Sequence, residues 1–180
     1  MNPVFGRLTP LPAREHLELL AEPVARALLD HAPGALVAAI DPSFADTEQL
    51  CAEYGVGMDA SANAVVVRGT RAGVEKHAVC MTLAHRRVDV NGLVRRRLDA
   101  RKASFAPMDY AVEATGMEYG GITPVGVPDD WPIWVDAAVA DAGWLCIGSG
   151  IRGSKLFLTA AELLSLPNAE RVEDLARDAG

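Results

Sequence analysis

A single mixed α/β domain, a curved mixed sheet with helices around it, is the fold class this 180-residue sequence predicts. Three observations carry the expectation. Short apolar strand-like runs alternate with short helix-like segments, no linker divides them, and half of the residues are hydrophobic, which is ample for one core. No internal repeat or low-complexity segment interrupts the pattern. Residues 1–45 read as an N-terminal helical extension with a first strand, and residues 46–177 as the core of the domain.

The elements follow in order. Leu17, Leu20, Val24, Leu28 and Leu29 recur near helical spacing between Pro12 and Pro33 and predict an amphipathic helix. Ala35 to Ile40 is a short apolar strand. Asp46 and Thr47 are candidate N-caps of a helix reaching Tyr54, where Gly55 ends it. Asn63 to Arg68 and Lys76 to Leu83 read as paired strands around a turn at Thr70 to Gly73. Asp89 or Asn91 caps a helix bearing Leu93, Val94 and Leu98, and a short run, Ala103 to Ala106, follows. Met108 to Thr115 is a helix stopped by Gly116. Ile133 to Val135 is a strand and Ala137 to Ala142 a short helix. Trp144 to Ile147 and Leu156 to Leu158 are strands around a glycine-rich turn. Thr159 opens a helix over Ala160 to Leu166, and the pattern predicts a last helix from Val172 to Arg177. The strands near 63–68, 76–83, 133–136, 144–147 and 155–159 are expected in one common sheet.

Composition excludes several classes. Charged residues make up 23%, and Gly plus Pro come to 27 residues, which argues against a disordered chain, a coiled coil or a collagen-like chain. No apolar run approaches the roughly 20 residues that span a bilayer. Residues 1–20 hold Glu15, Glu18 and three prolines and show no secretory pattern. Cys51, Cys80 and Cys146 are scattered, without metal or disulfide spacing. The expectation is a soluble cytoplasmic protein with reduced thiols, no structural metal, no cofactor and no membrane partner.

The net charge of −7 disfavours a nucleic-acid partner at face value, but the charge is unevenly distributed. Residues 68–102 carry ten basic residues against three acids, a local charge of +7, which leaves −14 on the rest. Such a block is either the footprint of a polyanion or a solvated face whose arginines pair with acids elsewhere.

Gly148-Ser-Gly-Ile-Arg-Gly153 matches G-x-G-x-x-G after an apolar strand, yet it leads into Lys155-Leu-Phe-Leu-Thr, another strand. A dinucleotide loop must open a helix. The run therefore reads as a hairpin loop from Gly148 to Ser154 whose amides could still face a ligand. In Tyr119-Gly-Gly-Ile-Thr-Pro-Val-Gly126, two adjacent glycines permit close backbone approach and Pro124 stiffens the exit. Such a turn is either ordinary or presents N–H groups to a developing oxyanion. His77 and His85 have no triad or metal spacing and read as surface or internally satisfied histidines. Cys80 reads as a core residue. Trp131 and Trp134 read as packing residues or a pocket wall.

The order of Asn63-Ala-Val-Val-Val, a paired strand, a helix, Glu113-Ala-Thr-Gly-Met-Glu-Tyr-Gly-Gly-Ile-Thr-Pro-Val-Gly126, a strand ending in Asp136, and Gly148-Ser-Gly-Ile-Arg-Gly-Ser-Lys155 resembles the YbaK/EbsC family. These are the prolyl-tRNA-synthetase-type editing domains and their free-standing relatives. Gly120-x-x-x-Pro124 is similar to the family's G-x-x-x-P loop, and the likeness runs from about Asp46 to Arg177. The resemblance implies a central pocket and metal-free hydrolysis of the ester between an amino acid and the tRNA 3′ end, with tRNA rather than DNA as partner. It implies that loop amides and a lysine orient the substrate while water attacks.

Two positions depart from the family. Its lysine stands before the first core strand, where this chain has Asn63. The position before the final strand, often acidic in the better-known members, is Lys155. The expected catalytic set is Asn63, Gly120, Gly121 and Lys155. The expected substrate-binding set is Pro124, Asp136, Gly148, Ser149 and Gly150, and Arg68, Arg86, Arg87, Arg95, Arg96 and Lys102 are the expected RNA contacts. Two other functions stand beside the deacylase: a catalytically silent tRNA- or small-ligand-binding member of the fold, and an esterase or amidase acting on a small aminoacyl compound.

Overall fold

Prolines, glycines and cap residues set the element boundaries in the computed structural model, which describes residues 4–179. β1 (Leu11–Pro12) precedes two 3-10 turns, Ala13–Glu15 and Leu17–Leu19, then α1 (Glu22–His31) and β2 (Leu36–Ala39). α2 (Thr47–Tyr54) ends at Gly55, whose φ of 72° needs no Cβ and whose N–H closes on the Cys51 carbonyl. β3 (Ala62–Arg71) and β4 (Val74–Leu83) form a long hairpin, and β5 (Arg86–Val88) leaves it. Asp89 accepts from the N–H groups of Gly92 and Leu93 and caps a π-helical turn, Val90–Val94, that runs into α3 (Arg95–Arg97). β6 (Lys102–Phe105) returns along β3, followed by α4 (Met108–Thr115). After an irregular stretch come β7 (Ile133–Asp136), α5 (Ala137–Ala140) and the hairpin β8 (Trp144–Gly148) and β9 (Ser154–Thr159). Thr159 and Glu162 form a capping box on α6 (Ala160–Leu164), and β10 (Ala169–Val172) and β11 (Ala176–Asp178) end the chain.

The mixed α/β class holds, but the single sheet expected from the sequence divides. One sheet has the order β1-β2-β9-β8, the other β10-β7-β4-β3-β6, and β11 pairs with β5. A parallel bridge between Ser61 and Cys146 joins the two larger sheets. Each sheet has its own ladder because β3 turns to β4 and β6 for partners, while β8 takes β9.

Strand pleat sorts side chains into three apolar clusters. The central one gathers Leu28, Val66, Val79, Met81, Val135, Leu145, Leu156 and Leu158. A second lies under the π turn and α3, with Val67, Ala78, Cys80, Val94, Leu98 and Trp134. A third packs Leu50, Val56, Cys146 and Phe157 beneath α2. Cys80 belongs to the second cluster, and burial pushes its thiol up to about 12.

Two predicted helices are corrected. The periodic run from Leu17 to Leu29 is 3-10 turns followed by α1, because Pro23 has no N–H to donate inside a helix and is tolerated only in the first turn, where it stands. The last helix, expected over Val172 to Arg177, is instead the pair β10 and β11, separated by Asp174 at φ 57°. β10 runs parallel to β7 and β11 antiparallel to β5, so tertiary ladders override a weak local pattern.

Asp136 and Arg86 clasp this end of the molecule. Asp136 is 1% exposed at the end of β7 and accepts from the Arg86 guanidinium, from Ala138 N–H at 3.3 Å and from Ala176 N–H at 3.0 Å. Arg86 also donates to the Ala176 carbonyl at 2.7 Å. Removing one partner strands a buried charge, so Arg86→Ala should cost about 3–5 kcal/mol of unfolding free energy. Urea denaturation checks this; a loss below about 1 kcal/mol would show that the clasp is not structural.

Candidate functional site

The gap left where the two larger sheets meet is a cavity of about 250 Å3. Its wall takes Asn63 from the start of β3, Gly120 and Ile122 from the irregular stretch after α4, Gly148 from β8, Lys155 from β9, and Asp46 and Thr47 from the start of α2. Ser61, Leu50, Cys146 and Ile147 line its inner part, and Met108 and Tyr119 stand at the cavity as well. Four expected residues, Asn63, Gly120, Gly148 and Lys155, thus share one cavity.

Lys155 is placed by the pleat. Leu156 and Leu158 turn into the central core, so Lys155 and Phe157 turn toward α2. The lysine is 7% exposed and its Nζ donates to the Ala45 carbonyl at 2.7 Å, with two N–H bonds left over. Burial lowers its pKa from the usual 10.5; Arg152 pushes the same way, and Cys146, Asp46 and Cys51 oppose it. The Cys146 thiol is itself raised by burial to about 12 and stays neutral near pH 7, so Asp46 is the cavity anion that offsets the lysine's burial there. Asn63 receives the Thr47 hydroxyl on Oδ1 at 2.8 Å, which leaves its NH2 group open to the cavity.

The glycine turn is tightly determined. Gly120 adopts φ 77°, the left-handed region, where a side chain would also strike the Arg152 guanidinium. A Cβ on Gly121 would stand 2.8 Å from the Ile151 carbonyl carbon and oxygen. Gly121 N–H closes the turn on the Glu118 carbonyl at 3.0 Å, so that amide is engaged. The N–H groups of Gly120 and Ile122 have no partner among the described residues.

Other expected site residues lie elsewhere. Pro124 lines a separate small cavity with His31 and Pro128. Asp136 is held in the clasp with Arg86, and neither residue lines the cavity. Ser149 is buried, donates to the carbonyls of Ile151 and Ser154 and receives the Ser154 hydroxyl, so it shapes the β8–β9 loop. Gly150 packs against Ala21 and Val24, and its N–H reaches the Gly121 carbonyl at 2.7 Å. Of the expected RNA contacts, Arg68 pairs with Glu75 at 3.3 Å, whereas Arg87, Arg95, Arg96 and Lys102 form no ion pair among the described residues.

Sequence reasoning missed Asp46 and Thr47 as site residues, although it placed them at a helix start. It also missed Arg152, which ties three segments together around the mouth. Its guanidinium donates to the carbonyls of Pro42 and Tyr119 at 3.1 and 3.3 Å and lies 3.6 Å from Asp46, and its N–H donates to Glu118 at 2.7 Å. The signal was a lone arginine inside a glycine loop, a poor place for a side chain with no partner. His77 stacks on Tyr110 and Trp131 outside this cavity, and Arg97 lies 4.9 Å over Trp134. No three His, Cys, Asp or Glu side chains among the described residues are placed to hold a metal ion. No helix among them is long and apolar enough to cross a membrane.

Fold and site together define a single-domain α/β protein with a small cavity walled by a buried lysine, an open amide and a glycine turn. The chain belongs to the aminoacyl-tRNA editing domain family, whose model matches residues 41–166. A solved structure described as a candidate trans-editing enzyme for prolyl tRNA synthetase superposes with TM-score 0.73 at 21% identity, covering 88% of this chain and 97% of that one. A hypothetical protein superposes with TM-score 0.74 at 19% identity, covering 87% and 100%. A candidate signal transduction protein from Marinobacter aquaeolei VT8 matches with TM-score 0.61 at 18% identity, over 87% of this chain but 30% of that longer one. At these identities the likenesses establish the fold.

The buried lysine has a pH signature. A lysine whose folded pKa lies below its unfolded 10.5 binds fewer protons folded than unfolded between the two values, so stability rises with pH across that window. Below the folded pKa the penalty is complete and constant. Relative to Lys155→Met, the unaltered protein should therefore gain stability as pH rises toward 10.5, measured by urea unfolding of both proteins across pH. A pH-independent difference would show that the ammonium carries no burial penalty.

Proposed function

We propose that the protein hydrolyses the ester joining an amino acid to the 3′ end of a tRNA. The observation that carries the reading is that Lys155, Asn63, Gly120 and Ile122 line one cavity without an activated side-chain nucleophile, the Asn63 NH2 and the Gly120 and Ile122 N–H groups having no partner among the described residues. Ser61 has its hydroxyl on the Gly57 carbonyl at 3.0 Å, and the Cys146 thiol is raised to about 12, so neither side chain is poised to attack. Water is then the attacking group. As it adds to the ester carbonyl, that oxygen gathers negative charge, which the backbone N–H groups and the lysine ammonium stabilise. The bond to the ribose oxygen breaks, that oxygen leaves with a proton, and free amino acid and a ribose hydroxyl result. Asn63 orients the substrate through its NH2 group, and Arg152 positions the turn that carries Gly120.

A second reading is a binding module without turnover. Asn63, standing where the family carries a lysine, is the observation that favours it. A panel of mischarged tRNAs separates the two. On the deacylase reading Lys155→Ala lowers the deacylation rate tenfold or more, the value of a lost charge-assisted hydrogen bond of roughly 1.5–3 kcal/mol, and Asn63→Ala costs less. If Asn63→Ala abolishes turnover while Lys155→Ala does not, Asn63 itself orients the ester. If the unaltered protein hydrolyses no member of the panel, the binding reading replaces the deacylase.

A further inference from the structure

The five-stranded sheet is incomplete along β4. That strand pairs with β3 over its whole length, Val74 to Leu83, but β7 joins its other edge only at Val79, Cys80 and Met81. The Val79 N–H donates to the Pro132 carbonyl at 2.9 Å. Main-chain groups alternate sides along a strand, so those of Glu75 and His77 point to the β7 side as well. One ladder step back from Val79, the His77 carbonyl needs a donor at position 132, and proline has no N–H. The chain before Pro132 turns away, with the Trp131 N–H closing on the Pro128 carbonyl at 3.0 Å. The main-chain groups of Glu75 and His77 are left without partners among the described residues.

A cavity of about 470 Å3 lies along this open edge, lined by Glu75, Lys76 and His77 and by Asp130, Trp131 and Pro132 ahead of β7. It shares no lining residue with the cavity of Asn63 and Lys155. Val74, Glu75 and Lys76 are exposed. Both faces beside the edge are apolar. On the central-core face the His77 ring stacks on Tyr110 and Trp131, with centroids 4.5 and 5.4 Å apart. On the opposite face stand Leu98 and Trp134, the latter under Arg97. Nε2 of His77 is buried without a hydrogen-bond partner.

The charge at one end is acidic. Through Asp130 and Pro132 the cavity meets a second one lined by Asp129 and Glu170. Glu170 is paired with Arg97 and Glu75 with Arg68, whereas Asp129, Asp130 and Lys76 form no ion pair among the described residues. Two unpaired acids against one lysine, in a chain of net charge −7, favour a basic partner. Open main-chain groups flanked by a side-chain wall on each face are the recognition chemistry of an extended peptide. A nucleic-acid strand would meet the two acids and leave the main-chain groups unused. A second copy fits poorly. Two-fold antiparallel pairing centred on Glu75 or Lys76 opposes like charges, and centred on His77 it runs the copy into β7.

We propose that the Val74–Ala78 edge of β4 binds an extended peptide of a partner protein by strand addition, with apolar side chains against the Tyr110–Trp131 and Leu98–Trp134 walls and a basic side chain on Asp129 and Asp130. The inference stands apart from the editing reading, because it uses a different cavity and different residues.

The test is fluorescence anisotropy with three labelled peptides. The first has eight alternating valines and threonines with an arginine at each end, the second has glutamates at the ends, and the third is the first with an N-methylated backbone. The arginine peptide should bind, N-methylation should abolish binding, and glutamate ends should weaken it tenfold or more, the value of a lost charge-assisted contact. Asp130→Asn should weaken the arginine peptide about tenfold and leave the glutamate peptide no weaker. Glu75→Pro removes an N–H that faces solvent, a place where an edge strand accepts proline, and should abolish the binding that Glu75→Ala retains. If Glu75→Pro does not fold, Asp130→Asn and the N-methylated peptide decide the matter. No binding of the arginine peptide, binding indifferent to N-methylation, or binding indifferent to Asp130→Asn would overturn the proposal. So would a single-stranded RNA that competes for the groove, or a self-association of the free protein that Glu75→Pro dissolves.

Discussion

The pleat of β9 is the constraint on which the site depends. Leu156 and Leu158 are both fully buried in the central core, and strand alternation then leaves Lys155 no face but the one beneath α2, beside Phe157. A slip of one residue would send the lysine into the central core and two leucines toward the cavity, so the register is enforced by apolar burial and the cation's position follows from it. The pairing of β9 with β2 and β8 on its two sides fixes that register twice.

A charge held there changes what its neighbours can be. Lys155 sits in a wall of apolar side chains and glycine backbone, with the Ala45 carbonyl as its hydrogen-bond partner and Asp46 as the nearby anion. A second lysine at position 63 would put a like charge on the same small cavity, with Arg152 already adding positive potential. The asparagine at 63 and the lysine at 155 are therefore coupled: gaining one cation in the wall makes a neutral donor the compatible choice across from it. Thr47 then holds the asparagine in one orientation by donating its hydroxyl to Oδ1.

Much of the fold was legible because its signals are local. The hairpin of β3 and β4, the caps at Asp89 and Thr159, the glycine stops at Gly55 and Gly116 and the rejection of a dinucleotide loop before Lys155 all rest on residues within one turn or ladder step of the feature. The division into two sheets was not legible, because it depends on which distant strand each edge finds. The strands β10 and β11 were misread for the same reason: their partners lie at Ile133–Asp136 and Arg86–Val88. The site shows the same split. Gly120 and Lys155 were found through backbone chemistry and sequence departure. Pro124, named as the proline of the G-x-x-x-P loop, and Asp136, named as the end of a strand in the family pattern, stand outside the cavity lining, and Arg152 became visible only when three segments from different parts of the chain closed around it.

The basic block resolves in the same way, by asking which charges are already used. Arg68, Arg71, Arg86 and Arg97 are spent on Glu75, Asp99, Asp136 and Glu170, and Arg97 also covers the Trp134 ring. What remains without an ion pair among the described residues is Lys76, Arg87, Arg95, Arg96, Arg101 and Lys102, the last of them opening the edge strand β6. In a chain whose net charge is −7, acids elsewhere would repel a polyanion, and this local set is where one would meet the least repulsion. Orientation by repulsion from the rest of the surface requires fewer cations than adhesion would.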